Sequence, residues 1–252
     1  MRSETFSTPG KVALEISIPA GDVDVETVDE GTTAVELEVR GRDAEELERE
    51  AKIELRQRGD RYEVVVSAHR NGGFNLFRGR SGEYRVRISV PHGADVEANL
   101  ASADIEGRGR YGEVRINTAS GDVRFEKIEV EARVDSASGD VQIERVGSAK
   151  MNSASGDIQI DETADGADIN TASGDVDLRS VAAGEVKVNS ASGDVEVGIA
   201  KGSRLWVEAQ SLSGDTSSEL ELESGAPIES DEGPLVELKA RTLSGDITVK
   251  RA

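Results

Sequence analysis

The sequence predicts an all-β fold, a β-solenoid or β-helix of about eight coils of about 18 residues each. Three observations predict it: a Ser-Gly-Asp tripeptide that recurs at a near-constant interval, alternating apolar and polar residues on both sides of that tripeptide, and a low aromatic content. Only 3% of the 252 residues are aromatic, whereas 36% are hydrophobic. A core made of aliphatic side chains suits thin layers of stacked strands.

The tripeptide marks the repeat. Its glycine occurs seven times, at successive intervals of 18, 17, 18, 19, 21 and 31 residues. A degenerate copy, Ser102-Ala103-Asp104, lies 18 residues before the first of them. Glycine tolerates a positive φ where the chain turns sharply, and the aspartate can accept a backbone N–H. The predicted turn residues are Gly121, Asp122, Gly139, Asp140, Gly156, Asp157, Gly174, Asp175, Gly193, Asp194, Gly214, Asp215, Gly245 and Asp246.

Each unit contains two predicted strands. The residues two and four positions after the glycine are mostly apolar and flank a polar residue, as in Val176, Asp177 and Leu178. A second apolar pair stands seven and five positions before the glycine, as in Ala167 and Ile169. This alternation indicates strands with one buried face. Because two short strands cannot close a core alone, we expect the units to stack on one another in chain order.

A polar column accompanies the turns. Four residues before the glycine, the sequence has an amide or carboxylate side chain in six units, and stacked amides can hydrogen-bond from coil to coil. The predicted polar ladder consists of Asn99, Asn117, Asp135, Asn152, Asn170 and Asn189. The column changes to Gln210 and Arg241 in the last two units, which we therefore expect to be irregular.

We expect two regions, an N-terminal strand-rich region over residues 1–93 and, continuous with it, the repeat solenoid over residues 94–252. The solenoid is expected to carry a loop insertion near residues 221–237, which contain two glycines and two prolines. The N-terminal region has the following predicted elements: an early coil at 10–28, strands at 33–40, 61–68 and 84–90, a short helix opening with a capping box at Asp43 and ending near Glu50, and a hairpin turn at Arg58-Gly59-Asp60.

Composition excludes several function classes. The chain carries 50 acidic and 30 basic residues, a formal charge of −20, which argues against a nucleic-acid partner. It has no cysteine and two histidines, so we predict no disulfide framework, no zinc cage, no histidine-based triad and no cofactor. The sequence shows neither a signal peptide nor an apolar stretch of membrane-spanning length, and a cytoplasmic location is therefore expected.

The aspartate column allows three interpretations. We favour turn capping as its role. Calcium binding is a second interpretation, although each coil offers one Gly-Asp pair and calcium takes six to eight oxygen ligands. Polysaccharide hydrolysis by paired carboxylates is a third, but neighbouring coils would place acids at catalytic spacing anywhere along the column.

One segment is not explained by the repeat. Between residues 56 and 87 the chain has eight arginines, no lysine and three acids, and within that stretch residues 69–80 form a glycine-rich loop. The loop is predicted either to connect two strands or to contact a partner or an anionic membrane surface. The residues that would make this contact are Arg70, Phe74, Phe77, Arg78 and Arg80.

The chain resembles a bacterial β-strand-repeat family of unknown function, the "putative adhesins" also called toastrack domains. The resemblance is carried by the Thr/Ser-Ala-Ser-Gly-Asp-Val/Ile segments between Thr118 and Val195, with support from residues 17–23 and 90–96. It implies a β-helical or solenoid fold and no known enzymatic activity. Some members of the family are found beside membrane-stress regulators or fused to membrane segments, which links the family to the cell envelope. This sequence departs from those members in showing neither an anchor nor a signal, so an intracellular scaffold stays open as an alternative.

Three functional hypotheses follow. The leading one is a non-enzymatic rigid scaffold or adhesin-like interaction module, whose partner is a protein or an envelope component. The alternative is a self-polymerising, bactofilin-like rod, because the final unit, Thr242 to Ala252, ends directly after its strand and would leave an uncapped solenoid end for self-association. The third is a polysaccharide-active β-helix enzyme.

Overall fold

The computed structural model describes residues 1–68, 82–218 and 233–252. Strands dominate these ranges, and their one α-helix is α1 (Ala44–Glu50). The chain divides into two compact units. Unit 1 consists of residues 1–129 and 134–139, and unit 2 consists of residues 130–133 and 140–252. The prediction of an all-β repeat fold with a short helix near the N-terminus is confirmed.

The strands follow the predicted two-per-coil rhythm, although several bend through a corner as one continuous strand. In chain order they are β1 (Arg2–Ser7), β2 (Lys11–Val28), β3 (Thr32–Arg40), β4 (Lys52–Arg58), β5 (Arg61–Ser67), β6 (Glu83–Pro91), β7 (Ala94–Ser120), β8 (Val123–Ser138), β9 (Val141–Ser153), β10 (Ile158–Thr163), β11 (Ala167–Ser173), β12 (Val176–Val181), β13 (Gly184–Ser192), β14 (Val195–Ile199), β15 (Arg204–Ser213), β16 (Thr216–Ser218), β17 (Leu235–Ser244) and β18 (Ile247–Arg251).

Strand β2 lies at the centre of unit 1. Its first half pairs in parallel with β5 and its second half with β6, whereas β7 runs parallel to it along the other edge. In the register with β7, Gly21 lies opposite Ala103 and Asp22 opposite Asp104. The segment predicted to be an early coil is therefore stacked in register with the first repeat coil. Strand β3 is antiparallel to β1 and β6, and β4 is antiparallel to β5.

The short elements of unit 1 form as predicted, with one exception. Strands β4 and β5 make the expected hairpin, in which Arg58 pairs with Arg61 and Gly59 has a φ of 62°. The helix begins after Asp43, but the side chain of Asp43 makes no capping hydrogen bond, so the predicted capping box is wrong. Instead, the backbone carbonyl of Asp43 accepts the N–H groups of Glu46 and Leu47 at 3.1 and 3.0 Å.

Unit 2 is a stack of parallel, in-register strands. Before the Ser-Gly-Asp corner, the strands pair in the order β9–β11–β13–β17–β15. After the corner, the order is β9–β10–β12–β14–β18–β16. Alternate residues of both sets are buried, including Ile158, Ile169, Leu178 and Val188, which are at most 1% exposed. Both sets therefore contribute to one aliphatic core.

The last two coils do not stack in chain order, and this corrects the sequence expectation. The coil made of β17 and β18 is inserted between the β13–β14 coil and the β15–β16 coil. The predicted free end, Thr242 to Ala252, is therefore an interior coil. The inward positions explain the order, because Ile247 and Val249 of β18 are buried whereas the matching Thr216 and Ser218 of β16 are polar and exposed. The more apolar coil occupies the interior.

The predicted insertion at 221–237 lies mostly outside the described residues, which resume at Gly233. Strand β17 begins at Leu235, so the last three residues of the predicted insertion belong to a strand. The N–H of Arg204 donates to the carbonyl of Pro234 at 2.9 Å and extends the pairing of β15 with β17 by one further bond.

The corner positions require glycine for two reasons: the turn needs a positive φ, and the backbone of the adjacent coil lies where a Cβ would be. Six of the seven predicted turn glycines have a φ between 116° and 156°, as the turn interpretation expects; Gly121 is the exception. A Cβ at Gly121 would nevertheless overlap the carbonyl oxygen of Ala103. In unit 2, a Cβ at Gly174 would overlap the carbonyl oxygen of Gly156 in the adjacent coil. Each glycine therefore leaves room for the backbone of its neighbour.

The corner aspartates form a ladder. The carboxylate of one aspartate accepts the backbone N–H of the aspartate in the next coil, so each coil is tied to its neighbour at the corner. In unit 1, Asp122 N–H donates to Asp104 Oδ1 at 2.9 Å. In unit 2, the donors and acceptors are Asp157 to Asp140 (3.0 Å), Asp175 to Asp157 (2.9 Å), Asp194 to Asp175 (2.8 Å), Asp246 to Asp194 (2.8 Å) and Asp215 to Asp246 (2.8 Å).

The asparagine ladder is also present. In unit 1, Asn117 donates to Asn99 Oδ1 at 3.1 Å. In unit 2, Asn170 donates to Asn152 at 3.2 Å and accepts from Asn189 at 3.0 Å. Asp135 carries a carboxylate at the ladder position of β8. Like the aspartate ladder, these hydrogen bonds between asparagine side chains hold successive coils in one register.

The glycine contact predicts a difference between two substitutions in unit 2. Gly174→Ala meets both a φ of 127° and the backbone of Gly156, whereas Gly202→Ala meets a φ of 86° in open space. We expect Gly202→Ala to cost about 1–2 kcal/mol from backbone strain alone. Gly174→Ala should cost at least about 1–2 kcal/mol more, because two coils must separate. Urea unfolding of both variants measures the difference in the free energy of unfolding. Equal losses in the two variants would show that close approach to the Gly156 backbone does not limit residue 174.

The amide ladder predicts a second difference. Asn170→Ala removes hydrogen bonds to both neighbouring coils, whereas Asn189→Ala removes one of those bonds. We expect a loss of about 1–2 kcal/mol in the free energy of unfolding for Asn170→Ala and about half of that for Asn189→Ala. Chemical denaturation followed by circular dichroism measures both values. A larger loss of unfolding free energy for Asn189→Ala than for Asn170→Ala would show that the ladder hydrogen bonds do not determine the contribution of these residues to stability.

Candidate functional site

The residues singled out from the repeat serve the stack itself. The corner glycines and aspartates and the asparagine column are occupied by coil-to-coil contacts. In the described ranges, no group of three or more histidine, aspartate or glutamate side chains is arranged to hold a metal ion. The predicted contact loop, with Arg70, Phe74, Phe77, Arg78 and Arg80, lies outside the described residues. The described surface carries a different candidate site.

Exposed apolar side chains are concentrated on two strands of unit 2. Eight large hydrophobic residues of the described chain are exposed, and five of them lie on β15 and β17. These five residues, which we call the terminal-coil surface, are Trp206 (47% exposed), Val207 (39%), Leu212 (82%), Leu235 (45%) and Leu243 (59%). Clustered exposed apolar side chains mark interaction sites more often than scattered ones do.

The strand register arranges this surface into two apolar pairs. Leu235 pairs with Arg204, which places it diagonally across from Trp206 on the same face of the sheet. At the other end of β15, Leu212 and Leu243 lie side by side between the pairs Ser211–Thr242 and Ser213–Ser244. Alternation along the strands directs Trp206, Leu212, Leu235 and Leu243 to the same outward face. Val207 belongs to the inward column, where the matching Leu238 of β17 is fully buried.

Charged side chains occupy the region between the two apolar pairs. Lys239 contacts Glu237 at 2.8 Å and Glu185 at 2.9 Å, and its ammonium group lies 5.8 Å from the centre of the Trp206 ring. Arg241 pairs with Glu208 at 3.0 Å. The site thus has apolar ends and an ion-paired centre.

Contacts among these charged side chains shift the pKa values of Glu185 and Lys239. Hydrogen bonds from Lys187 and then Lys239 lower the pKa of Glu185. Hydrogen bonds to Glu237 and then Glu185 raise the pKa of Lys239. Both shifts favour the charged forms, so the centre keeps its alternating charges around neutral pH.

The terminal coil, made of β15 and β16, has an edge with no partner strand among the described strands. Strands β15 and β16 pair with β17 and β18 along one side, and within the described residues no strand pairs with their other side. The aspartate ladder ends here as well, because Asp215 donates to Asp246 and no N–H of the described chain is seen to reach the carboxylate of Asp215. The backbone groups of a strand edge can pair with another strand.

In unit 1, one of the two histidines lies between a threonine hydroxyl and a carboxylate, which the low number of histidines did not predict. The Thr27 hydroxyl and His92 Nδ1 share a hydrogen bond of 2.6 Å, and His92 Nε2 lies 3.2 Å from Asp29 Oδ1. The order of groups resembles a nucleophile–histidine–carboxylate triad. However, Thr27 is 8% exposed and its hydroxyl oxygen already accepts the N–H of Arg110 at 3.0 Å. The arrangement links β2 to β7 and leaves the hydroxyl little access to a substrate.

The sequence carries a signal for the terminal-coil surface in two of its repeat columns. The small alanine column, two residues before each corner glycine, changes to Leu212 and Leu243 in the last two repeats, and the chain's single tryptophan stands in β15. A leucine at an outward corner position stays largely exposed, as Leu212 (82%) and Leu243 (59%) do. That change could have predicted an interaction surface, but only the strand register shows that the two leucines are neighbours.

The chain matches solved structures from several bacteria. A "putative adhesin" from Bacteroides fragilis has a TM-score of 0.51 at 9% identity, covering 98% of this chain and 96% of that one. A "putative cell adhesion protein" from Clostridium sporogenes has a TM-score of 0.35 at 11% identity, covering 100% and 99%. A "putative lipid binding protein" from Parabacteroides distasonis has a TM-score of 0.44 at 12% identity, covering 100% and 96%.

Two further comparisons bear on the identity of the chain. No curated protein matches it. The described helix is too short and too polar to cross a membrane. Residues 13–250, nearly the whole chain, match the family described as Toastrack DUF4097. The β-rich repeat fold, the Ser-Gly-Asp corners and this match together show that the chain belongs to the Toastrack DUF4097 family.

Proposed function

We propose that this protein is a non-enzymatic, adhesin-like interaction module that binds a protein or an envelope component through the terminal-coil surface. The observation that carries the proposal is the concentration of exposed apolar side chains on β15 and β17. The adhesin name given to the Bacteroides fragilis structure is consistent with this kind of function.

The stack supports such a role because it presents the site on a rigid frame. The strands that carry the surface are held in register by backbone pairing, by the corner aspartates Asp194, Asp246 and Asp215, and by the corner glycines. A side chain that is already fixed by its scaffold loses less conformational entropy when a partner binds. The coils therefore serve binding by positioning Trp206 and Leu212 rather than by contributing reactive groups.

The composition of the site fits a protein-binding interface. Tryptophan and arginine are the residue types most often responsible for binding energy, and both occur here as Trp206 and Arg241. The ion pairs between Lys239 and its two glutamates and between Arg241 and Glu208 form a polar centre that can select a complementary partner. A partner with apolar side chains at two points and polar groups between them would match the surface.

A matched set of charge substitutions tests the proposal. We expect Trp206→Glu and Leu212→Glu each to weaken binding to bacterial envelope proteins at least about tenfold, because a carboxylate would be buried at an apolar contact. Val130→Glu is the control, since Val130 is 53% exposed but lies on β8. Binding is measured by biolayer interferometry of the purified protein against separated envelope proteins, with circular dichroism to confirm folding.

One outcome of the binding assay would contradict the proposal. Equal binding by the wild-type protein and all three variants would exclude the terminal-coil surface as the contact. The same assay with anionic phosphatidylglycerol vesicles examines the basic loop, which stays a prediction: binding that needs Phe74 and Phe77 but tolerates Trp206→Glu would assign the contact to residues 69–80.

A further inference from the structure

The edge of β15 that pairs with no described strand lies directly beside the terminal-coil surface, and this adjacency suggests what pairs with it. We infer that the edge binds β15 of a second copy of this chain, antiparallel and about a two-fold axis at Ala209, to form a symmetric dimer. The inference rests on the proposed function, because it names a second copy as one partner of the same surface.

The sequence of β15 is self-complementary in this register. Pairing about Ala209 aligns residues 205–213 of one copy with residues 213–205 of the other. Trp206 then lies opposite Leu212 of the second copy, and Leu212 lies opposite its Trp206. Glu208 lies opposite Gln210, so no like charges are directly opposed. Aromatic–aliphatic cross-strand pairs are favourable, and like-charged pairs are not.

The outward faces of both copies also agree. Residues 206, 208, 210 and 212 point to one face of β15, and the register pairs even-numbered residues with even-numbered residues. Leu235 and Leu243 of β17 then flank the Trp206–Leu212 pairs on each side. The partly exposed inward residue Val207, whose neighbour Leu238 is fully buried, is covered when the stack is continued by another strand.

The described end of unit 2 is large enough for a weak contact. Strand β15 has ten residues and β16 has three, so strands about 33 Å and about 10 Å long, in layers about 10 Å thick, give roughly 430 Å² per copy. The total of roughly 860 Å² is smaller than a standard stable interface and is typical of transient association. We therefore expect a weak dimer that dissociates on dilution.

The described strands of unit 1 favour a dimer over a filament. A head-to-tail filament needs a second edge that matches the first. Strand β4 pairs only with β5 among the described strands and carries Lys52, Glu54, Arg56 and Arg58. Charged edge strands resist pairing with other chains. Closed, two-fold association is therefore favoured over the self-polymerising rod.

The test uses the full chain, which contains no cysteine. Sedimentation velocity over a concentration series should show a monomer–dimer equilibrium for the wild-type protein. Trp206→Lys and Leu212→Lys should each raise the dissociation constant at least about tenfold. Val130→Lys, the matched control, should leave it unchanged. A strictly monomeric wild type, or species larger than a dimer that grow with concentration, would overturn the inference.

Cross-linking tests the register itself. The axis at Ala209 places Glu208 of one copy opposite Gln210 of the other, so mixing the variants Glu208→Cys and Gln210→Cys should yield a disulfide-linked heterodimer. Val130→Cys mixed with either variant should give much less. Absence of the heterodimer under oxidising conditions, with the apolar residues intact, would contradict the antiparallel pairing.

Two outcomes separate this inference from the proposed function. A monomeric protein whose binding to envelope proteins is still lost in Trp206→Lys would refute the dimer and support the interaction module. A monomer in which acrylamide fails to quench Trp206 fluorescence would show that the chain's own residues cover the edge, and would refute both.

Discussion

The close approach of neighbouring backbones at the Ser-Gly-Asp corner is the constraint on which the stack depends. At this corner the carbonyl oxygen of one coil occupies the space in which a Cβ of the next would lie, as between Gly156 and Gly174. Because no side chain separates the coils, each aspartate carboxylate can reach the N–H of the next aspartate. The corner therefore sets both the spacing and the register of the strands on either side of it.

A fixed register converts a one-dimensional repeat into columns of side chains. Valines and isoleucines align with one another in the interior, asparagines align on the surface, and charges of opposite sign meet between coils, as Arg179 meets Asp161 at 3.0 Å. Many of the surface ion pairs are exposed and contribute little each. The columns matter for function because they place chemically similar side chains next to each other, so that a change of residue type in two successive repeats creates a patch.

Such a change is what distinguishes the terminal coil. Thr216 and Ser218 replace the apolar residues of the inward column, while Trp206, Leu212 and their neighbours on β17 place apolar groups outside. The coil formed by β17 and β18 keeps an apolar interior, with Val236, Leu238 and Ile247 buried, and shares the apolar exterior through Leu235 and Leu243. The end of the stack thus has a less apolar interior and a more apolar exterior than any regular coil. That inversion suits a surface that contacts another protein.

The sequence by itself determined the fold class, the coil period, the position of each corner and the asparagine ladder, because these depend on residue types that recur at a fixed interval. It also determined the early coil at 10–28, the helix and the β4–β5 hairpin, which depend on local signals. It did not determine that the coil of β17 and β18 is stacked between the β13–β14 coil and the β15–β16 coil. The stacking order depends on which coil buries more apolar surface and not on chain order. Only the tertiary structure decided that Leu212 and Leu243 are neighbours, that Leu235 and Trp206 share one face of the sheet, and that β15 has an edge with no partner among the described strands. Those relations are set by contacts between residues about 30 positions apart, whose interval departs from the repeat.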